Sequence, residues 1–227
     1  MRETAEYFTR NLGALTAEQQ QGLLGASATV VGCGGLGGYV IEELARIGLG
    51  RLHCFDPDIF SPSNCNRQLN ALLATLGRNK AEVAAERVAA IHPLCTAQAY
   101  PMDFRRAEGA EAFSTGVVID CLDDVQARID LAARCADRGV PLVHGAVNGW
   151  YGQVGVHLPG GDLIARLYPP RTTRRPTQPP SVLACTVALV ASLQVAEAVK
   201  LLLGLESPLI NTWLHIDLKE GEFQRID

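Results

Sequence analysis

The chain has 227 residues, enough for one large α/β domain or a domain with a small appendage. A hydrophobic fraction of 48% and a charged fraction of 19% are those of a globular protein, and a formal net charge of −4 gives no global attraction to nucleic acid or to an anionic membrane. Residues 1–10 carry charges of both signs and no apolar run, so no signal peptide is expected there.

In chain order, residues 1–26 read as a helical arm, and 28–32 as a buried, mostly β-branched strand running into Gly32-Cys33-Gly34-Gly35-Leu36-Gly37. A helix over 39–47 ends at Gly48, and a short strand over 52–55 closes at Asp56-Pro57-Asp58. Next come a helix over 79–91 stopped by His92-Pro93, strands over 97–100 and 117–121, a helix over 125–138 and a strand over 141–143. Strands alternating with helices predict an α/β fold: a Rossmann-like, doubly wound, mainly parallel sheet covered on both faces. Residues 153–158 alternate like a partly exposed antiparallel strand, and 168–180, rich in Pro, Thr and Arg, read as a mobile loop. The apolar stretch 182–203 is broken at helical spacing by Gln194, Glu197 and Lys200, so a buried helix with one polar stripe is expected rather than a membrane span. Strands over 211–217 and 222–226, turning at Gly221, extend the sheet in antiparallel fashion, and 1–227 reads as a single domain.

The seven cysteines are odd in number and show no CxxC spacing. Neither a disulfide framework nor a structural zinc is expected, and a reducing cytoplasm suits them.

Gly32, Gly34 and Gly37 fit G-x-G-x-x-G between a strand and a helix, with Gly35 adding room. Glycine there permits a tight turn and close approach to phosphate, and the helix N-terminus supplies free N–H groups. Asp56, 19 residues beyond Gly37, sits where a carboxylate accepts bonds from ribose hydroxyls. That fingerprint alone suits a dinucleotide. The loop after Asp58 carries Asn64, Arg67 and Gln68, and Lys80 opens the next helix. Two cations and flanking amides suit a triphosphate whose charge must be neutralised while it is cleaved. Asp120-Cys121-Leu122-Asp123-Asp124 closes another strand on the same edge. Asp123 is the candidate magnesium ligand and Asp124 a helix N-cap, while Arg128 suits either the site or a structural ion pair.

In this order, GCGGLG, DPDIFSPSNCNRQ, RNKAE, DCLDD with Arg128, PLVHGAVNGWYGQV and SLQVAEAVKLLLG resemble the ThiF/MoeB/HesA family, bacterial relatives of ubiquitin-activating enzymes. The resemblance runs from Phe8 to the C-terminus. It implies an adenylyltransferase that uses ATP and magnesium on the C-terminal glycine carboxylate of a ubiquitin-like sulfur-carrier protein ending in Gly-Gly, in thiamine, molybdopterin or related cofactor synthesis. It implies that Asp56 holds the ribose, that Asn64, Arg67 and Lys80 bind phosphate, and that Asp123 binds magnesium. Arg10 matches the family's N-terminal arginine that reaches into a partner subunit's site, so a homodimer is implied. In-line attack on phosphorus needs neutralised charge and a positioned tail, so no catalytic histidine is expected among His53, His92, His144, His157 and His215.

The chain departs from the family where many members hold zinc with two CxxC pairs. Leu163 to Arg166 and the C-terminal strands carry no cysteine, so no zinc is expected, and those strands must hold by packing alone. Residues 168–180 also lack the loop cysteine of some members, and Cys185 is read as helix packing, with adenylation proceeding without an enzyme thioester. Arg171, Arg174 and Arg175 suit either a grip on an acidic carrier or a solvated basic loop. Rival readings are a tRNA threonylcarbamoyladenosine dehydratase, an NAD-binding oxidoreductase and a non-catalytic scaffold; net charge and the GWYGQV and SLQVAEAVK segments favour a protein carrier over nucleic acid.

Overall fold

The structure is a computed structural model that describes residues 6–106, 113–169 and 181–227. The elements are α1 (Ala17–Gly25), β1 (Ser27–Val31), α2 (Gly35–Ile47), β2 (Arg51–Phe55), α3 (Lys80–Ile91), β3 (Thr96–Tyr100), β4 (Val117–Asp120) and α4 (Val125–Arg138). They continue with β5 (Leu142–Asn148), β6 (Tyr151–His157), α5 (Leu163–Leu167), α6 (Ala184–Leu202), β7 (Trp213–Asp217) and β8 (Glu222–Ile226). One sheet runs in the order β3-β2-β1-β4-β5-β6-β7-β8. Neighbours from β3 to β5 are parallel, and those from β5 to β8 are antiparallel. This is the expected fold class.

The period-2 alternation of strands separates two cores. Ala28 and Val30 of β1, with Val117 and Ile119 of β4, join the side chains of α2, α3 and α6. Val31 and Val118 face the other way, onto Leu131, Ala132 and Cys135 of α4, with Phe55 and Phe113. Apolar residues on both faces are what a parallel sheet sandwiched between helices requires.

Element ends shift where backbone chemistry extends a pattern. α2 starts at Gly35, four residues before the expected start at Tyr39, because the glycine loop itself forms its first turn. β5 runs to Asn148 rather than Val143, paired with β6 over seven residues. The arm over 1–26 is not helical throughout. Among the described residues α1 is a full helix, opened by a Thr16/Gln19 capping box, while residues 8–16 form turns and bridges. Those turns are anchored: Asn11 Nδ2 donates to Ile47 O at 3.1 Å, and buried Phe8 packs where Gly48 turns (φ 96°) to end α2. A Cβ at Gly48 would lie 2.8 Å from Phe8 Cε1, so this glycine serves both the helix stop and the docking of the arm.

α6 is long and apolar enough to cross a membrane on length and composition, and half of it is buried inside the fold. Its polar stripe points inward. Gln194 is buried and donates to Asp120 O at 2.8 Å, and buried Glu197 accepts from Ser207 Oγ at 2.5 Å while pairing with Lys200. Both buried polar side chains of this stripe thus find a partner.

The C-terminal strands are held by more than packing, a correction to the reading of their missing cysteines. Arg166 on α5 pairs with Asp162 at 3.2 Å, donates to Asn211 O, and lies 5.4 Å over the Trp213 ring. The expected loop over 168–180 lies outside the described residues beyond Pro169, as do Arg171, Arg174 and Arg175.

Candidate active site

Parallel register brings the C-terminal ends of three strands together, Val31 beside both Phe55 and Asp120. In an open α/β sheet this edge is where ligands bind. A cavity of about 580 Å³ lies there, lined by Gly32, Gly34, Gly35, Asp56, Asp58, Arg67, Gln68, Lys80 and Asp123. Nine sequence-predicted residues from five separate segments therefore share one site.

Three other predicted residues do not line it. A Cβ at Gly37 would sit 1.7 Å from Gly32 O, so Gly37 allows α2 to pack on the turn rather than touching the cavity. Asn64 spends its Oδ1 on Ser61, accepting from its N–H at 3.0 Å and its hydroxyl at 3.2 Å. Arg10 is exposed on the N-terminal turn, off the cavity wall.

Gly32 is required by the turn: φ is +94°, and a Cβ would meet Cys121 O at 2.6 Å. Asp56 shapes the same turn, because Oδ2 accepts from Cys33 N–H at 2.7 Å and Oδ1 from Asp58 N–H at 2.9 Å. Burial pushes the Asp56 carboxyl up, opposed by the Lys80 charge and those two amide bonds. Lys80, buried at the start of α3, reaches Asp58 Oδ2 at 3.1 Å. Asn79 caps α3 through Ala81 N–H and Glu82 N–H, and its amide bonds the carbonyls of Asp56 and Asp58. This cap ties the β2 loop to Lys80. Arg67 is held by Ser63 O at 3.0 Å and Asn66 Oδ1 at 2.9 Å. Gln68 lines the cavity and packs beside Gly34, its Nε2 3.2 Å from where a Cβ there would lie and its buried Oε1 unpaired.

Across the cavity, Asp124 caps α4 by accepting from Ala127 N–H at 2.9 Å, as expected, and leaves Asp123 exposed on the wall. Arg128 is buried; it lies 3.9 Å from Asp120 and donates to Leu122 O. Among the described residues no three His, Cys, Asp or Glu side chains gather as a metal cluster. One exposed carboxylate nonetheless fits magnesium, which binds through few protein oxygens and keeps several waters.

The cavity has walls that sequence reasoning missed. Met102, Asp103, Phe104 and Arg105 follow β3, and Tyr151, Gln153, Tyr168 and His215 close the far side. The signal for the first group was position alone, the segment just past the C-terminal end of a parallel strand. His215 lies on the wall stacked on Tyr151, at 6.0 Å between centroids, while His144 on β5 is fully buried. Of the seven cysteines only Cys65 and Cys185 are exposed, so Cys185, read from the sequence as helix packing, instead stands on the open face of the first turn of α6; burial pushes Cys95 and Cys135 up to about 12.

The chain matches the ThiF family over residues 8–227. A sulfur carrier protein adenylyltransferase of Thermus thermophilus is 33% identical over 224 residues, which span 92% of this chain and 81% of that protein. A tRNA threonylcarbamoyladenosine dehydratase of Bacillus subtilis is 37% identical over 145 residues, spanning 62% of this chain and 57% of that protein. The crystal structure of E. coli MccB with ATP shares the fold, with a TM-score of 0.80 at 19% identity over 97% of this chain and 70% of that one.

Proposed function

The chain belongs to the ThiF family, and from that membership we propose that it adenylates the C-terminal glycine carboxylate of a ubiquitin-like sulfur-carrier protein ending in Gly-Gly. The observation that carries this reading is the single continuous cavity. It is lined by the glycine loop, Arg67, Lys80 and Asp123 and also by Tyr151 and His215, which belong to β6 and β7, two and three strands beyond β4 in the sheet order. A nucleotide at the glycine loop leaves room for an extended tail beside β6 and β7.

In this reading a carboxylate oxygen of the tail attacks the α-phosphorus of ATP, the bond to the leaving oxygen breaks, and pyrophosphate departs. Arg67 and Lys80 neutralise phosphate charge, with Lys80 exchanging Asp58 for a phosphate oxygen. Gln68 turns its free amide to the same phosphates. Asp56 keeps its two backbone bonds and accepts from a ribose hydroxyl with its remaining lone pairs, while the Met102–Arg105 wall covers the base. Asp123 would hold magnesium, which supplies positive charge to the phosphates. Arg10 would serve the site of a second copy, making the enzyme a homodimer, and Asn64 would act through the shape of the Arg67 loop. No histidine acts as acid or base, and no zinc is needed. We read residues 1–227 as one domain of a cytoplasmic enzyme without nucleic-acid or membrane partners; thiamine and molybdopterin synthesis are candidate pathways.

The similarity to the Bacillus subtilis dehydratase keeps one second reading, ATP-dependent cyclisation of threonylcarbamoyladenosine in tRNA. ATP–pyrophosphate exchange separates the two. Exchange should require a small protein ending in Gly-Gly and ignore tRNA; exchange with tRNA alone would transfer the assignment.

A further inference from the structure

Beside Asp123, five groups close a ring of hydrogen bonds, three of which, Leu122, Arg128 and Tyr168, also line the cavity. Asp120 ends β4 directly opposite His144 of β5, and both side chains are fully buried. Asp120 Oδ2 lies 2.7 Å from His144 Nδ1, and Oδ1 accepts from Leu122 N–H at 3.0 Å. With the Nδ1 proton given to Asp120, His144 Nε2 is an acceptor, and Tyr168 Oη stands 3.2 Å from it. Tyr168 Oη accepts in turn from Arg128 Nη1 at 2.6 Å, and Arg128 grips Leu122 O through Nε at 3.2 Å and Nη2 at 2.5 Å. Gln153 Nε2, 3.2 Å from both Tyr168 Oη and His144 Nε2, braces the ring from β6.

All donors and acceptors agree only for neutral His144 with its proton on Nδ1. A second proton on Nε2 would aim a donor at Tyr168 Oη and set positive charge near Arg128. Both N–H and C=O of Leu122 are thereby fixed, one by Asp120 and the other by Arg128, and Asp123 is the next residue.

We propose that His144 and Tyr168 are positioning residues: through Asp120 and Arg128 they hold the Leu122–Asp123 peptide so that the Asp123 carboxylate is presented to the cavity. The ring stands on the structure, while the task of Asp123 rests on the adenylation reading. Burial keeps His144 below its usual range despite Asp120, with Arg128 acting in the same direction as burial. The titratable and charged groups around it are Asp120 on β4, Arg128 on α4, His157 on β6 and Tyr168.

The test uses Tyr168→Phe, which keeps the aromatic ring edge-on to His144 and removes one hydroxyl. Amide hydrogen exchange at Leu122 should quicken about tenfold while the β1 amides stay as slow as before, the size expected for losing one buried link. The magnesium concentration for half-maximal carrier-dependent ATP–pyrophosphate exchange should rise about threefold, about half of that change in logarithmic terms. His144→Asn keeps a donor toward Asp120 and removes the ring nitrogen that titrates. In the native protein Leu122 protection, corrected for intrinsic exchange, should fall as NMR shows the imidazole gaining a proton, and in His144→Asn that acid step should vanish. Leu122 exchange unchanged in Tyr168→Phe, or quickened equally throughout the sheet, would overturn the proposal. Should the native protein show no carrier-dependent exchange, the adenylation reading fails, and Leu122 exchange still decides whether the ring positions this peptide.

Discussion

Replacing Lys80 by Met separates the chemistry of the cavity from its stability. The side chain is only 9% exposed, whereas its partner Asp58 is 68% exposed. Met keeps the buried aliphatic stem and removes the ammonium. Asp58 is then left mostly in water, and an ion pair with one solvated partner contributes about 1 kcal/mol or less. Loss of a positioned charge facing a developing anion costs far more, roughly 3–4 kcal/mol, or about 100- to 1000-fold in rate. The expected result is a protein that melts within a few degrees of the native one, with carrier-dependent ATP–pyrophosphate exchange down by at least about 100-fold. Asp58→Asn breaks the same ion pair and leaves the cation, so it should lose far less activity. A Lys80→Met variant that exchanges within about threefold of the native rate would refute the phosphate role, because that change is below 1 kcal/mol. Equal losses in Lys80→Met and Asp58→Asn would show that the ion pair, not the cation, matters.

Asp123→Asn should abolish magnesium-dependent exchange without lowering the melting temperature, since its side chain is exposed at the cavity wall; calorimetry and exchange assays on one preparation decide it. Arg166→Ala removes a ring contact and a carbonyl bond, about 1–2 kcal/mol in all, and should lower the melting temperature by several degrees, whereas a zinc chelator should leave it unmoved. Glu42 is pushed up by burial but held below 4.5 overall by Arg87 and Arg46. Its contribution to stability is therefore present above pH 4.5 and lost as pH falls through the lower folded value, so Glu42→Gln should flatten the acid side of a melting-temperature profile. Cys185→Ala should retain exchange, because adenylation needs no enzyme thiol; complete loss in a folded variant would contradict that.

The glycine loop, Asp56, Arg67, Lys80 and the β/α alternation were legible because each is written locally. Strand-to-helix turns need glycine, carboxylates after strand ends face one edge, and alternation fixes which residues are buried. The same local logic identified Asp124 as a cap beside Asp123. Strand order and register decided the rest, since only they say which side chains meet across the sheet. They turn the Gln194 and Glu197 stripe inward, bring the Met102–Arg105 turn and Tyr168 to the cavity, and set His144 against Asp120, 24 residues away. They also withdraw Gly37 and Asn64 from the wall, because close packing on Gly32 O and capping of Ser61 use up what the motif offered. Turn chemistry and periodicity act over a few residues, whereas a hydrogen bond between distant segments forms only once the sheet has brought them within reach.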